Sequence, residues 1–374
     1  MNILVFSWRD PKHPLAGGAE QVMHEHMKGW VAAGHEVTLF SSRFKNSQSE
    51  EEIDGVRIIR RGHQYHLGVQ FAGFFFYLSN RNKFDLIVDQ FHGMPFFTPL
   101  YSAKPKIAVI QEVAREVWFL NPLPRPLNWI YGIVGHLLEP LVLSLYKGVP
   151  FITGSESAKR DVISFGIPGK NITVVPHGVI VSRPIPFPQK EKTKTVVFLG
   201  VISRDKGIVD AIECFNLLSK TGSYRFWVIG RPESEEYYRY VKERVIKNRL
   251  GDKVKFWGYV SQSKKFELLA RAHVLINPSV REGWGLVNIE ANAMGTPVIA
   301  YKSPGLVDSV KEGNSGLICS ENSPENIADN VKKLFGDNLL YAKLQEGAKR
   351  WAGMFSWEKS KKQSLKLLKN IANE

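Results

Sequence analysis

Short apolar runs alternate with amphipathic segments along the first half of the chain. The runs predict buried strands, and the segments with helical spacing predict helices near Glu20 to Ala33 and Ser157 to Phe165. This alternation is typical of a doubly wound α/β sheet with parallel strands, whose ligands gather at the carboxyl ends of the strands. The predicted strands are Ile3 to Ser7, Glu36 to Ser41, Val56 to Arg60, Leu86 to Asp89, Ile107 to Ile110 and Phe151 to Thr153.

The same pattern starts again in the second half. Between the halves, Ser182 to Lys190 carries prolines at alternate positions and then charge, which favours an extended linker. The second half restarts with the strand Thr195 to Gly200 and continues to Val298–Ala300. We therefore predict a first domain over 1–182, a linker over 183–193 and a second domain over 194–354. Residues 355–374 form a basic amphipathic helix that we expect to cross back to the first domain.

The length, composition and net charge agree with two domains and limit the classes of binding partner that we expect. A chain of 374 residues is longer than a single hydrophobic core usually supports, and its 44% hydrophobic content is ordinary for a globular protein. Cys214 and Cys319 lie far apart in apolar runs, which indicates core thiols and a reducing, cytoplasmic compartment. The first residues form a strand, so we expect no signal peptide. The net charge of +14 indicates an anionic partner. Nucleic acid is not expected, since no nucleic-acid-binding motif is found.

The most informative segment runs from Arg281 to Ala291. Two carboxylates, Glu282 and Glu290, bracket a glycine-rich turn between a strand (His273 to Ser279) and a helix (Leu286 to Met294). The backbone amides of a helix N-terminus favour a phosphate. These amides belong to Gly283, Trp284, Gly285, Leu286 and Val287. Ionised carboxylates accept paired hydrogen bonds from diols. Glu290 therefore suits a ribose, and Glu282 suits a transferred sugar. The alternative is that Glu282 is a helix cap and that Glu290 lies on a solvated helix face.

This segment resembles the Glu-x7-Glu motif of the retaining glycosyltransferase family 4, and the resemblance extends over nearly the whole chain. It implies the GT-B fold, in which two Rossmann-like doubly wound domains face a central cleft. It also implies transfer of a hexose from a UDP- or GDP-sugar to an acceptor hydroxyl with an α-linkage. No metal and no cofactor are expected, because GT-B enzymes use cations and helix dipoles where others use a divalent ion.

Two more elements match the donor side of the family. In Gly200 to Gly207, Lys206 and Arg204 follow a strand and can neutralise the diphosphate as the glycosidic bond breaks. The family usually has Arg where this chain has Val201, so Arg204 is the expected substitute. The strand and turn Phe256 to Val260 resemble the family's nucleobase site. Tyr259 and Val260 would hold the base through main-chain groups, and uracil and guanine remain open.

The acceptor side is less distinct. Gly17 and Gly18 close the loop after the first strand and open a helix, which permits close approach of a phosphate or an acceptor. Gln111 follows a strand where family members often carry His, and Gln cannot exchange protons. This departure matters less for retention, where the leaving phosphate accepts the acceptor proton. His92 is a polar residue at another strand end, and His177 is expected to be a hinge residue rather than a catalyst.

Two apolar stretches bear on a membrane partner. Phe71 to Leu78 is densely aromatic, and Leu127 to Tyr146 has the length of a spanning helix. Because His136, Glu139 and Pro140 interrupt it, we expect no span and predict burial in the first domain. The alternative is an interfacial surface that includes Trp118, Phe119, Trp129, Arg115 and Arg125, which would suit a lipid-linked acceptor and peripheral contact with the inner face of a membrane.

The expected partners are a nucleotide sugar and a glycan or lipid-linked acceptor. Two other functions stay open on the sequence alone. A nucleotide-sugar-binding accessory protein without transferase activity would explain Val201 and Gln111. A GT-B sugar-nucleotide epimerase would convert the donor without an acceptor.

Overall fold

A computed structural model describes residues 1–63, 67–91, 93–121, 123–179 and 187–372 of the chain. The chain forms two compact units. Unit 1 comprises Met1–Arg115, Val134–Gly178 and Ser356–Glu374, and unit 2 comprises Glu116–Ile133 and Val179–Phe355. The boundaries predicted at residues 182, 193 and 354 stay predictions.

Unit 1 is built on an eight-stranded sheet of order β3-β4-β2-β1-β5-β6-β7-β8. All neighbouring strands are parallel except β3 and β4, which pair antiparallel at one edge. The sequence pattern did not predict β3, whose exposed glutamates lack an apolar run. The strands are β1 (Asn2–Phe6), β2 (Glu36–Ser41), β3 (Glu50–Ile53), β4 (Val56–Arg60), β5 (Leu86–Phe91), β6 (Lys106–Ile110), β7 (Phe151–Thr153) and β8 (Ile172–Val174).

Helices cover both faces of this sheet. The helices of unit 1 are α1 (Gly18–Ala32), α2 (Gly68–Asn80), the end of α3 (Leu127–Ser144), α4 (Glu156–Ser164) and α12 (Trp357–Ala372). On one face Ile3 and Val5 pack with α1 and α12. The last helix is fixed to the first by Trp30, whose indole Nε1–H donates to Ser364 Oγ at 3.2 Å. On the other face Leu4 and Phe6 pack against α2.

The stretch Leu127 to Tyr146 corrects one expectation. It forms α3, but most of its large apolar side chains are exposed rather than buried in the first domain: Leu137 and Leu141 are each 64% exposed. Of its buried positions, all but Leu143 carry small or polar residues. The buried positions are Asn128, Gly132, Gly135, Glu139 and Leu143, spaced three or four apart along one side of the helix. No helix in the described part of the chain is long and apolar enough to cross a membrane.

Unit 2 has a six-stranded parallel sheet of order β11-β10-β9-β12-β13-β14. Its strands are β9 (Lys194–Leu199), β10 (Tyr224–Ile229), β11 (Val254–Gly258), β12 (Val274–Asn277), β13 (Val298–Ala300) and β14 (Gly316–Ile318). Its remaining helices are α5 (Ile208–Ser219), α6 (Glu235–Lys247), α7 (Gln262–Arg271), α8 (Leu286–Ala293), α9 (Leu306–Ser309), α10 (Pro324–Gly336) and α11 (Asn338–Ala352). Their apolar faces enclose one large core.

The predicted α/β class is confirmed: both units are doubly wound, with helices between parallel strands. The cysteine thiols of Cys214 and Cys319 are free and buried, as expected of core residues.

A buried histidine makes unit 1 sensitive to acid. His26 on α1 is 1% exposed and lies between Trp30 and Trp357, with ring centroids 6.4 and 6.0 Å away. Neither of its ring nitrogens has a hydrogen-bond partner in the described part of the chain. Burial, assisted by the charge of Lys361, lowers the pKa of His26 to about 4. The folded state therefore excludes a proton that the unfolded chain accepts.

We predict that His26→Phe reduces the loss of stability in acid. Because folding lowers this pKa, His26 does not reduce the free energy of unfolding well above pH 6.5. The reduction grows as the pH falls from 6.5 towards 4. At pH 5 it amounts to about 2 kcal/mol. The measurement is the free energy of unfolding of both proteins at pH 8 and pH 5. The exposed His63→Phe is the control, and an equal difference at both pH values would contradict this account.

Candidate functional site

The carboxyl end of β9 carries a lysine between two carboxylates. Lys206 lies in the turn between β9 and α5. Its Nζ is 3.1 Å from Glu282 Oε1 and 3.2 Å from Asp205 Oδ2. The Lys206 and Glu282 side chains are 22% and 19% exposed, so both groups keep access to solvent. Two residues predicted for catalysis from separate motifs thus meet at one point.

Glu282 is held by the loop that follows β12. The Ser279 hydroxyl lies 2.9 Å from Glu282 Oε1 and 2.8 Å from Asn277 Oδ1, within hydrogen-bonding distance of both. The Glu282 amide donates to the Pro304 carbonyl at 3.1 Å. A Cβ on Gly305 would lie 2.1 Å from the Glu282 carbonyl oxygen, so the next loop approaches this close only because residue 305 is glycine.

A second glycine brings the Lys206 turn against the end of β12. Gly207 has a φ of +69°, and a Cβ there would lie 2.1 Å from the Pro278 carbonyl oxygen. The Val280 amide also donates to the Asp205 carbonyl at 2.8 Å. The loops that carry Lys206 and Glu282 are therefore in direct backbone contact.

The predicted phosphate turn leads into a helix N-terminus, as the spacing indicates. Gly285 caps α8 in the left-handed conformation, with a φ of +79°. The amides of Leu286 and Val287 lie in the first turn, where an α-helix offers no internal acceptor. Gly283, Trp284 and Gly285 are buried. Asn288 fixes the start of the helix: it accepts from Asn277 Nδ2 and donates to Ser309 Oγ, both at 2.9 Å.

The second carboxylate of the motif, Glu290, is 6% exposed on α8. Its Oε1 is 2.5 Å from Nζ of Lys265 on α7. The sequence did not point to Lys265. A carboxylate has about four acceptor sites, so one ammonium group leaves capacity for a diol.

The other donor-side predictions lie at strand ends of the same sheet. The exposed Arg204 guanidinium lies over the ring of Tyr237, 5.6 Å from its centroid. Tyr259, directly after β11, is 84% exposed, and Val260 is partly buried. The Ile202 amide donates to the Arg231 carbonyl at 2.9 Å, which brings a second arginine residue to the Gly200–Gly207 turn.

Two further acids lie near Lys206, and the motifs did not point to either. Burial would raise the pKa of Asp205, but the charge of Lys206 and the hydrogen bond from the Ser203 hydroxyl outweigh it, so this pKa lies below its usual value. Burial, and then the charge of Asp205, raise the pKa of Glu233 against the effect of Arg204 and Lys206. The cluster around Lys206 is therefore rich in carboxylates.

Arg281, the residue before Glu282, forms an ion pair that sequence reasoning did not find. Its guanidinium Nε donates to Glu116 Oε1 at 3.0 Å, and its second terminal nitrogen lies 2.9 Å from the same oxygen. Arg281 is 6% exposed. The pair fixes the segment Glu116–Ile133 to the donor motif within unit 2.

In unit 1 the acceptor-side predictions also lie at carboxyl ends of strands. Gly17 and Gly18 open α1, and the Gly17 amide donates to Glu20 Oε2 at 2.7 Å. Gln111 follows β6, and its Oε1 lies 2.7 Å from His177 Nε2. His177 is buried and stacks on Trp357, which is consistent with a structural residue. His92 lies outside the described residues.

Comparisons with known proteins agree with the two-unit fold and with the motifs described above. The family model "Glycosyltransferase Family 4" matches residues 16–183, and "Glycosyl transferases group 1" matches residues 184–351. A glycogen synthase of Mycobacterium tuberculosis is 23% identical, over 96% of this chain and 92% of its own.

Two solved structures share the fold. Sucrose-phosphate synthase from Thermosynechococcus elongatus has a TM-score of 0.81 and 18% identity, covering 99% of this chain and 98% of its own. Anabaena Alr3699/HepE in complex with UDP-glucose has a TM-score of 0.73 and 15% identity, covering 99% of this chain and 100% of its own.

Two doubly wound units with polar clusters at their strand ends define the GT-B class of fold. The two family models together account for residues 16–351. The chain belongs to the family 4, or group 1, glycosyltransferases, and it is accordingly an enzyme of the hexosyltransferase class.

We predict that Gly207→Ala destabilises unit 2 by about 2–4 kcal/mol, since it places a Cβ in a left-handed conformation and against the Pro278 carbonyl. Relief of the clash moves Lys206 away from Glu282. The measurement is urea unfolding. Gly336→Ala is the matched control, because a Cβ there meets nothing within 4 Å. Equal stability of the two variants would show that the close approach is not needed.

Proposed function

We propose that this glycosyltransferase moves a hexose from a nucleoside diphosphate sugar to an acceptor hydroxyl and retains the configuration at the anomeric carbon. The observation that carries the proposal is the contact of Lys206 with Glu282 next to the N-terminus of α8. A cation, two helix amides and a sugar-binding carboxylate are the groups that a nucleotide sugar requires.

The roles follow from the charges. Lys206, with Arg204 beside it, faces the diphosphate and stabilises the negative charge that grows on it as the sugar departs. The amides of Leu286 and Val287 receive a phosphate oxygen. Glu282 accepts hydrogen bonds from hydroxyls of the transferred sugar, and Glu290 does so from the ribose. With these groups present, we propose that no divalent ion takes part.

The reaction exchanges one bond for another at the anomeric carbon. The bond from this carbon to the phosphate oxygen breaks, and the acceptor oxygen bonds to the same face. The acceptor proton passes to the leaving phosphate, so the products are a nucleoside diphosphate and an α-glycoside. This route requires no protein base, which agrees with Gln111 at the position where a histidine is common in the family.

UDP is the first nucleotide to test. The Anabaena Alr3699/HepE structures are described as complexes with UDP, UDP-glucose, and UDP with glucose, which supports a UDP-sugar for this fold. We propose a glycan or a lipid-linked alcohol as the acceptor, used in a cytoplasmic compartment. A lipid-linked acceptor requires the enzyme to work at a membrane surface.

We predict that one UDP- or GDP-sugar raises the melting temperature of the protein and is turned over to an α-linked product. The measurements are a thermal-shift screen of donors, then product linkage by NMR with the positive donor, with and without EDTA. Stoichiometric binding without turnover would instead favour an accessory protein. Conversion of the donor without an acceptor would favour an epimerase, and loss of turnover with EDTA would refute the metal-free route.

We further predict that Glu290→Gln and Lys206→Ala separate donor binding from turnover. Loss of a charged hydrogen bond to the ribose weakens donor binding by about 1.5–3 kcal/mol, a factor of roughly ten to a hundred. Lys206→Ala lowers kcat more than donor affinity, because its interaction strengthens in the transition state. Calorimetry and steady-state kinetics measure the two effects. Glu346→Gln and Lys332→Ala, at surface ion pairs, are the controls; wild-type kcat in Lys206→Ala would remove its role.

A further inference from the structure

The inward positions of α3 carry mostly small or polar residues, whereas its outward positions carry mostly large apolar residues. Between Leu127 and Ser144 the only Asp, Glu, Lys, Arg or His residues are His136 and Glu139, and Glu139 is buried. The outward positions hold large apolar side chains that are between 39% and 64% exposed. They are Leu127, Trp129, Ile130, Tyr131, Ile133, Val134, Leu137, Leu138 and Leu141. Exposed apolar area on this scale is typical of an interaction surface.

Inward contacts fix this orientation. The Glu139 carboxylate accepts from the amides of Ala114 and Arg115, at 2.5 and 2.9 Å. A Cβ on Gly132 would lie 2.5 Å from the ring of Phe119, so the helix packs closely on its glycine side. Turning the apolar side inward would remove Glu139 from two charge-assisted hydrogen bonds and lose this packing. The outward apolar side is therefore a stable feature of the fold.

α2 adds a second apolar strip on the same side of the unit 1 sheet. Ile87 and Phe91 are four residues apart on β5, so they point to the same face. Ile87 packs in the cluster that contains α2, and Phe91 packs in the cluster that contains the end of α3. α2 has no charged residue, and its outward Phe71 and Phe75 are 62% and 63% exposed.

The composition of these strips indicates what covers them. Trp and Tyr, present in α3 as Trp129 and Tyr131, are enriched where protein meets the headgroup layer. Exposed cations flank both helices: Arg125 and Lys147 around α3, and Arg81 and Lys83 after α2. The net charge of the chain is +14. Apolar strips bordered by cations complement a bilayer of anionic lipids. A protein partner would instead call for polar groups interspersed for hydrogen bonds.

We propose that the outward sides of α2 and α3 bind the protein peripherally to the surface of an anionic bilayer. This inference goes beyond the transfer reaction and does not depend on it, because vesicle binding needs neither donor nor acceptor. If the transfer reaction holds as well, docking brings the enzyme to lipid-linked acceptors, and that consequence rests on the proposed function.

The test is flotation of the purified full chain with vesicles of phosphatidylcholine alone or with 30% phosphatidylglycerol. We expect binding to the anionic vesicles, and a fall in binding of about tenfold or more in each of two double variants. These are Leu137→Ser with Leu141→Ser, and Phe71→Ser with Phe75→Ser. The matched control is Ile246→Ser with Leu339→Ser, which removes side chains 72% and 85% exposed on α6 and α11 and should bind as the wild type does.

Several results would overturn the proposal. They are a wild-type chain that floats with neither vesicle, surface variants that bind as well as the wild type, and a control that loses as much binding as they do. A wild-type dimer in solution that the surface variants convert to monomers would assign the surface to a second copy. Donor-induced thermal shift, measured without vesicles, should be unchanged in all variants, which separates this test from that of the transfer reaction.

Discussion

The repulsion between a diphosphate and the carboxylates that we propose to hold its sugars is the constraint on which the candidate site depends. Two unit charges 4 Å apart interact by about 4 kcal/mol at an effective dielectric constant near 20. Lys206 offsets this repulsion because it contacts Glu282 directly at 3.1 Å. Asp205 Oδ2 lies 3.2 Å from the same ammonium group and helps to orient it in the absence of donor. In the proposed reaction, the same lysine would face the diphosphate once the donor is bound.

The backbone makes this contact possible. Gly207 lets the Lys206 turn lie against Pro278, and Gly305 lets the following loop lie against Glu282. Gly230 permits a similar approach at the end of the neighbouring strand β10, where a Cβ would lie 1.8 Å from the Gly200 carbonyl oxygen. Side chains at these positions would push apart the strand ends, and with them the two charges. The precision of the site therefore comes from close backbone packing at the strand ends rather than from long side chains.

The sequence allowed us to predict those elements and site residues that local hydrophobic periodicity or motif spacing indicates. Most strands of both sheets and the start of α8 follow from apolar runs and glycine positions, and Lys206 and Glu282 follow from motifs, whereas β3, β8 and β14 were not predicted. The pairs Lys265–Glu290 and Arg281–Glu116 were missed because their members are 25 and 165 residues apart and no local pattern links them. The antiparallel β3 was missed because its alternating exposure comes from glutamates on a sheet edge.

α3 shows why a hydrophobic segment does not reveal which of its sides is covered. Its apolar content is spread around the helix, so composition alone favours burial. The decisive signal is the spacing of the exceptions: Asn128, Gly132, Gly135 and Glu139 recur at intervals of three or four residues. Small and polar residues at that period mark the side that packs closely and hydrogen-bonds to backbone. The larger side chains must then face whatever lies outside the protein, and flanking cations make an anionic surface the favourable neighbour.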